Sequence, residues 1–272
     1  LINTYRTDFA PKKMGNTLFY TSSLKPQNED EGTVAQLFCS IDGGQGVPIA
    51  QNSTEAGKHT SNIAFGRNDT RMYYTICEDS EDYANEFICK IYYRDKTDDG
   101  TWGVQCPLPA SVNMSGYSNT QPASAWDAEA EQEVLFFASN RPGGEGGYDI
   151  WYTYIANDSL CSQPDRLESL NTEFDDMTPY FHEASGTLFF SSKGHLSLGG
   201  FDIYRTKKEN GYWMEPENLG YPINSSYDDL YYSFDSESAQ AHFASNRPEA
   251  YCHDPEKGCT CDDIFYYDIA VN

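Results

Sequence analysis

One pattern returns five times along the 272 residues of this chain, and it constrains the fold more than any other feature. Each copy opens on a linker asparagine, at positions 3, 52, 113, 171 and 224. In the clearest copy, Leu170-Asn171-Thr172 leads through Asp176, Pro179, Phe181 and Gly186 to Leu188-Phe189-Phe190-Ser191-Ser192. Ile2-Asn3-Thr4 runs likewise to Leu18-Phe19-Tyr20-Thr21-Ser22, and Ile223-Asn224-Ser225 to His242-Phe243-Ala244-Ser245-Asn246. Two weaker copies lie between, ending on Met72-Tyr73-Tyr74-Thr75 and Leu135-Phe136-Phe137-Ala138-Ser139. The units span approximately 1–49, 50–110, 111–168, 169–221 and 222–272.

Each unit carries three or four strand signals. A short Pro-x-Phe/Trp stretch comes first, then the aromatic run, which suits a pleated and packed surface. A turn such as Asn140-Arg141-Pro142-Gly143-Gly144 follows, then Asp149-Ile150-Trp151-Tyr152 or Asp202-Ile203-Tyr204-Arg205. The fourth is marked by Trp and Pro, as at Trp102/Pro107 and Trp213/Pro216. No window keeps a 3.6-residue apolar period for three turns, so helices should be nearly absent. Four antiparallel strands per unit of ~50 residues is the plan of a propeller blade. A lone blade leaves two greasy faces bare, so several must stack around an axis. The expected fold is all-β, a single five-bladed β-propeller over 1–272 with four antiparallel strands per blade. The fifth unit lacks the Trp–Pro strand. Either the missing strand lies upstream of Leu1 or the last blade has three.

Charge narrows the partners. Acids outnumber bases 42 to 18, for a net charge of −24. A nucleic-acid binder needs clustered Lys/Arg, and a bare anionic membrane would repel this surface. Apolar residues are 39% and aromatics 15%, enough for a real core and too aromatic for a disordered acidic tail. No apolar run approaches the ~20 residues of a membrane span. The chain opens on Leu1 rather than Met and reads as a processed or trimmed piece. An even count of 8 cysteines favours an oxidising compartment, with the pairing open.

The residues then reach a known pattern. Ala138-Ser139-Asn140-Arg141-Pro142-Gly143-Gly144 with Tyr148-Asp149-Ile150-Trp151 resembles the PD40, or WD40-like, repeat of TolB-type propellers. Ser191-Ser192-Lys193-Gly194 with Phe201-Asp202-Ile203-Tyr204, and Ala244-Ser245-Asn246-Arg247-Pro248 with Asp263-Ile264-Phe265, are similar to further copies. The Asn-Thr/Ser linker followed by Asp-x-x-Pro resembles the propeller of Bacteroidetes PorE-like outer-membrane lipoproteins, which set it between tetratricopeptide repeats and an OmpA-like domain. That resemblance implies a non-catalytic periplasmic scaffold in an outer-membrane-associated, peptidoglycan-linked complex of the type IX secretion system. Its partners would be other components of that complex.

Three groups of residues are candidates for chemistry. Three residues before the repeat Pro stand Asp8, His59, Asn119, Asp176 and Asp229. On an innermost strand these would ring one mouth of the central channel. They would either cap their own blades through backbone N–H groups or hold a ligand, with Ca²⁺ the fitting ion for oxygen donors. Asp149, Asp202 and Asp263 should bond the turn before the third strand, with Gln36 and Glu86 in their place in units one and two. Cys252, Cys259 and Cys261 share a loop with His253, and a loop-closing disulfide from Cys252 suits them better than zinc.

Two look-alikes fail. Gly143-Gly144-Glu145-Gly146-Gly147 joins two strands and so is no dinucleotide loop. Asp95-Lys96-Thr97-Asp98-Asp99-Gly100 has Cys106 where a calcium loop needs a bidentate Glu. The long loops 25–33, 78–86, 141–147 and 251–261 should crowd one face, and several are acidic, as at Glu29-Asp30-Glu31 and Glu78-Asp79-Ser80-Glu81-Asp82, which suits a protein partner with a basic patch. The other reading is a glycan-binding or glycan-cleaving propeller, with 21 tyrosines to stack on sugars and Asp8, Asp176 or Asp229 as nucleophile or base. It requires two carboxyl groups ~5–9.5 Å apart across an open cleft.

Overall fold

The structure, a computed structural model, describes residues 2–24, 33–52, 55, 57–66, 68–80, 87–156, 160–250 and 261–269. It is all-β, with five antiparallel sheets in sequence order. The first sheet holds β1 (Asp8–Met14), β2 (Thr17–Leu24), β3 (Val34–Ile41) and β4 (Val47–Pro48). The second holds β5 (His59–Gly66), β6 (Arg71–Asp79), β7 (Phe87–Asp95) and β8 (Cys106–Pro107). The third runs β9 (Asn119–Asp127), β10 (Gln132–Ser139) and β11 (Asp149–Ala156), with β12 (Leu160–Cys161) and β13 (Asp165–Arg166) both pairing β11. The fourth repeats that plan with β14 (Asp176–His182), β15 (Thr187–Ser192), β16 (Asp202–Glu209), β17 (Tyr212–Trp213) and β18 (Glu217–Asn218). The fifth has three strands, β19 (Asp229–Asp235), β20 (Gln240–Ser245) and β21 (Asp263–Asp268). Among the described residues this last blade has three strands.

The strands β1, β5, β9, β14 and β19 are innermost and pack on one another around the axis. Second strands are buried on both faces because a blade is sandwiched between two others, which is why β10 reads Val134-Leu135-Phe136-Phe137-Ala138 rather than alternating. The apolar core is correspondingly split into layers. Leu37, Ile63, Met72 and Tyr74 fill the space between blades one and two, and Tyr73, Ile91, Leu135 and Phe137 that between two and three. Phe136, Ile150, Leu188 and Phe190 lie between three and four, and Ile203, Tyr232 and Phe243 between four and five. Each fully buried Phe in these layers contributes about 2–3 kcal/mol.

The seam between the last blade and the first is closed without a shared sheet. Asp8 N–H donates to Asp262 C=O at 2.8 Å, Ser233 Oγ to Pro11 C=O at 2.7 Å, and Lys13 pairs with Asp235 at 2.6 Å. Phe9 packs on Tyr231 with ring centroids 5.3 Å apart. A disulfide joins Cys77 on β6 to its register partner Cys89 on β7. Cys261 is disulfide-bonded, and Cys39, Cys106 and Cys161 are free thiols. Cys252, Cys259, His253 and the loops 25–32, 81–86 and 251–260 lie outside the described residues. Among the described residues no helix is long and apolar enough to cross a membrane.

Candidate functional site

The linker asparagines are clasps between blades. Asn52 accepts from Leu37 N–H and donates to Leu37 C=O, at 2.7 and 2.9 Å. Asn113 does the same to Ile91, Asn171 to Ile150, and Asn224 to Ile203. Asn3 does it to Ile264 across the seam, at 2.9 Å both ways. A primary amide carries one donor and one acceptor at the spacing of a peptide group, so it completes the third strand of the preceding blade as a neighbouring strand would. All five copies do this, which explains why the asparagine recurs.

Asp8, Asn119, Asp176 and Asp229 open the inner strands and are fully buried. Asp8 Oδ2 accepts from Thr4 N–H and Thr4 Oγ1, at 2.7 and 2.9 Å. Asp176 does so from Thr172 and Asp229 from Ser225. Burial pushes the Asp8 and Asp176 carboxyls up, against hydrogen bonds from Ser22 and Ser192 that lower them. Arg141 Nη2 reaches Asn119 Oδ1 at 2.6 Å, and Arg247 reaches Asp229. In blade four His195 Nε2 meets Leu170 C=O, the counterpart of the carbonyls that Arg141 and Arg247 bind at Val112 and Ile223. Each carboxylate is thus tied to its own turn. Among the described residues no group of three or more His, Cys, Asp or Glu side chains is placed to hold a metal ion.

His59 stands one residue away from this ring. Asp8, Asn119, Asp176 and Asp229 pair with Ser22, Ser139, Ser192 and Ser245, and a bulge begins after the next residue. In blade two the same bulge follows Ser61, so Thr60 holds the ring position. His59 instead accepts Ala35 N–H of the preceding blade at 3.1 Å. Ser118 accepts Cys89 N–H, Asp175 accepts Tyr148 N–H, and Asp228 accepts Phe201 N–H in the same way. The one-residue slip arises because unit two has neither the repeat Pro nor the ring Asp, at least one of which sets the alignment in every other unit.

Asp149 accepts Glu145 and Gly146 N–H, and Asp202 accepts Leu198 and Gly199 N–H, as turn-bonding residues should. Their counterpart in unit one is Gln36, the partner of Ser22, and in unit two Lys90, the partner of Ile76. Glu86 lies outside the described residues. Asp95 is ion-paired with Arg71 at 2.6 Å, and Asp99 accepts from Thr97 and Thr101, so that segment is a bonded turn.

The bulge itself was not foreseen. Ala10, Asn62, Gln121, Thr178 and Tyr231 all have a left-handed backbone, with φ between 53° and 59°. This kink turns three residues of every inner strand into the channel. They line a cavity of about 60 Å³ with Lys12, Ser124, Tyr180, Tyr232 and Ser233 among its walls. Among the described residues no Asp or Glu lines it. Gln121 bridges the channel, donating to Tyr231 Oη at 3.2 Å and accepting Thr178 N–H at 3.0 Å. A carboxyl pair facing across an open central cleft is therefore not what this channel holds.

Acid chemistry lies instead at the mouth where the inner strands begin. Asp262, whose carbonyl accepts Asp8 N–H, has its carboxyl pushed up to about 6 by burial and by the charges of Asp228 and Asp263. Tyr231 feels burial first and then the Asp262 charge, both raising it. Asp228 is fixed by Phe201 N–H at 2.8 Å and Asn246 Nδ2 at 3.1 Å. Tyr5 and Phe174, in the linkers that enter the inner strands, are 80% and 51% exposed. Sequence inspection missed Asp262 because it sits between a cysteine and the turn aspartate, and what sets it apart is Asp228, brought beside it by the fold.

No family model matches the chain, and no curated protein is matched. Solved structures are matched over nearly the whole chain. An α-L-arabinofuranosidase from Lactobacillus brevis has a TM-score of 0.60 and 10% identity, covering 97% of this chain and 91% of that one. RS223-β-xylosidase has 0.58 and 14%, covering 98% and 93%. A thermostable family-43 glycoside hydrolase has 0.56 and 11%, covering 90% and 86%. These likenesses establish the fold. They overturn the resemblance to PD40 and PorE-like propellers, and with it the expected non-catalytic scaffold of the type IX secretion system. The Ser-Asn-Arg-Pro turn and Asp-Ile-Tyr strand misled because they serve blade mechanics: Arg141 and Arg247 tie turns to linkers, and Asp149 and Asp202 bind turns. Such residues mark a blade rather than a family.

Proposed function

We propose that this chain is a glycan-cleaving propeller whose proton donor is Asp262. The observation that carries it is a carboxyl at the channel mouth held up to about 6 beside two further carboxyl groups, Asp228 and Asp263. Hydrolysis of a glycosidic bond needs one carboxyl still protonated near neutral pH to give the leaving oxygen its proton. It needs a second, ionised one to activate water or attack the sugar carbon. Asp228, held by Phe201 N–H and Asn246, takes that second role. The fold's likeness to family-43 glycoside hydrolases supports the reaction class, and exposed Tyr5 and Phe174 offer rings for sugar stacking.

Aryl xylosides, arabinofuranosides and galactosides, with their oligosaccharides, test this. The chain should hydrolyse at least one, with turnover falling as pH rises past about 6 and Asp262 loses its proton. Asp262→Asn should reduce turnover by roughly 10²–10⁴-fold without lowering the melting temperature. Absence of both turnover and binding across the panel would sink the reading. Binding without turnover would leave a glycan-binding propeller and remove Asp262 from the chemistry.

A further inference from the structure

We propose that the cavity at the centre of the ring is an anion site, built to take one carboxylate group with Lys12 as its cation. The cavity of about 60 Å³ has walls from all five inner strands, and among the described residues Lys12 is the only charged one that lines it. A single water needs only about 10–15 Å³ of such space, so the cavity has room for a group several atoms across, such as a carboxylate.

Lys12 is half-buried in the channel wall. Its Nζ lies 4.3 Å from the centroid of the Tyr180 ring, and among the described residues no carboxylate comes within ion-pair distance of it. The next residue, Lys13, has Asp235 at 2.6 Å. Burial accordingly pushes the Lys12 amine down to about 8, with Glu183 and Asp69 acting on it only through space. His182 is in turn lowered by its own burial and by the Lys12 charge. A half-buried charge without an ion-pair partner is costly, and a bound anion offsets that cost.

A second, independent observation points into the same space. Asn62 is 8% exposed and its Oδ1 has no hydrogen-bond partner, while its Nδ2 is bound to Ser61 Oγ at 2.9 Å. A half-turn of the amide lets Oδ1 accept from Ser61 and presents Nδ2 to the cavity. Asn62 then donates to the same carboxylate that Lys12 neutralises. The site is distinct from the Asp262 mouth, because the Gln121–Tyr231 bridge crosses the channel and none of the cavity walls is acidic.

The carboxylate would come either from a free small acid or from an acidic sugar whose ring stays outside. Calorimetric titration with sodium acetate and sodium glucuronate, against methyl glucoside and sodium chloride at equal ionic strength, separates these sources. The wild-type chain should bind at least one carboxylate, taking up protons at pH 8.5 as Lys12 becomes charged. Lys12→Met and Asn62→Asp, which supplies an internal counter-ion, should each weaken binding at least tenfold. Acetate binding alone assigns a free acid, and glucuronate binding alone an acidic sugar. No carboxylate binding by the folded wild-type chain, or undiminished binding by folded Lys12→Met, would overturn the proposal. Failure of the glycoside panel leaves this titration standing, because the two tests read different residues.

Discussion

The asparagine clasp concentrates much of the ring's cohesion in one side chain per blade. Asn224 is fully buried and satisfies both Ile203 N–H and Ile203 C=O. Asn224→Ala leaves both groups buried and unpaired, and should lower the unfolding free energy by about 2–4 kcal/mol in urea titration. A loss under about 0.5 kcal/mol would mean the clasp is ornamental. The ring aspartates behave differently. Asp176 has its carboxyl raised by burial, so the folded state holds the proton more tightly than the unfolded one. Its stabilising contribution is full below pH 3.8 and is lost as pH rises through the raised value. Asp176→Asn should therefore hold or gain stability at pH 7, as blade three already does with Asn119. Asp235 has the opposite sign: burial raises it, but Lys13 and Ser238 outweigh burial and hold it at about 2. Its contribution is present above pH 3.8 and is lost as pH falls towards 2, so Asp235→Asn should destabilise at pH 7 and hardly at pH 2. Urea midpoints across pH read both.

At the scale of strands, the aromatic runs and Trp–Pro markers made five sheets legible, because second-strand burial and turn chemistry are local consequences of sequence. The clasp role of the asparagine was not legible, since its partners lie 15 residues away at Leu37 but 261 away at Ile264. Nor was the bulge, because five unlike residues (Ala10, Asn62, Gln121, Thr178 and Tyr231) share a backbone angle and no side-chain chemistry. Without the bulge, register in unit two slipped by one and placed His59 on the ring in place of Thr60. Lys12 and Asp262 stayed hidden for a related reason: what makes each unusual is a setting assembled by the fold, the Tyr180 ring beneath the one and Asp228 beside the other. The Cys77–Cys89 bond, with a sequence separation of 12, crosses a hairpin. Replacing both by serine should cost about 2–3 kcal/mol by loop entropy, measured by unfolding with and without reductant.

For the whole molecule, closure of the ring is the junction that the chain itself does not make. Blades one to five are joined in sequence by the chain, but five and one meet without a chain link, through contacts that include Asn3, the Asp8–Asp262 backbone bond, Ser233–Pro11, Lys13–Asp235 and the Phe9–Tyr231 rings. Asn3→Ala should open this seam before the others. Amide exchange at Ile264 should then rise far more than at Ile203, whose clasp is Asn224. Equal exchange at the two sites would place the weak point elsewhere. The proposed chemistry sits beside that seam, at Asp262, so function and closure share a boundary. A crystal of Asp262→Asn soaked with the best-hydrolysed oligosaccharide tests the account most directly. The account predicts a sugar over the mouth with its scissile oxygen at hydrogen-bond distance from residue 262 and a ring stacked on Tyr5 or Phe174. A sugar bound only on the outer rim, or an empty mouth at saturating ligand, would contradict it.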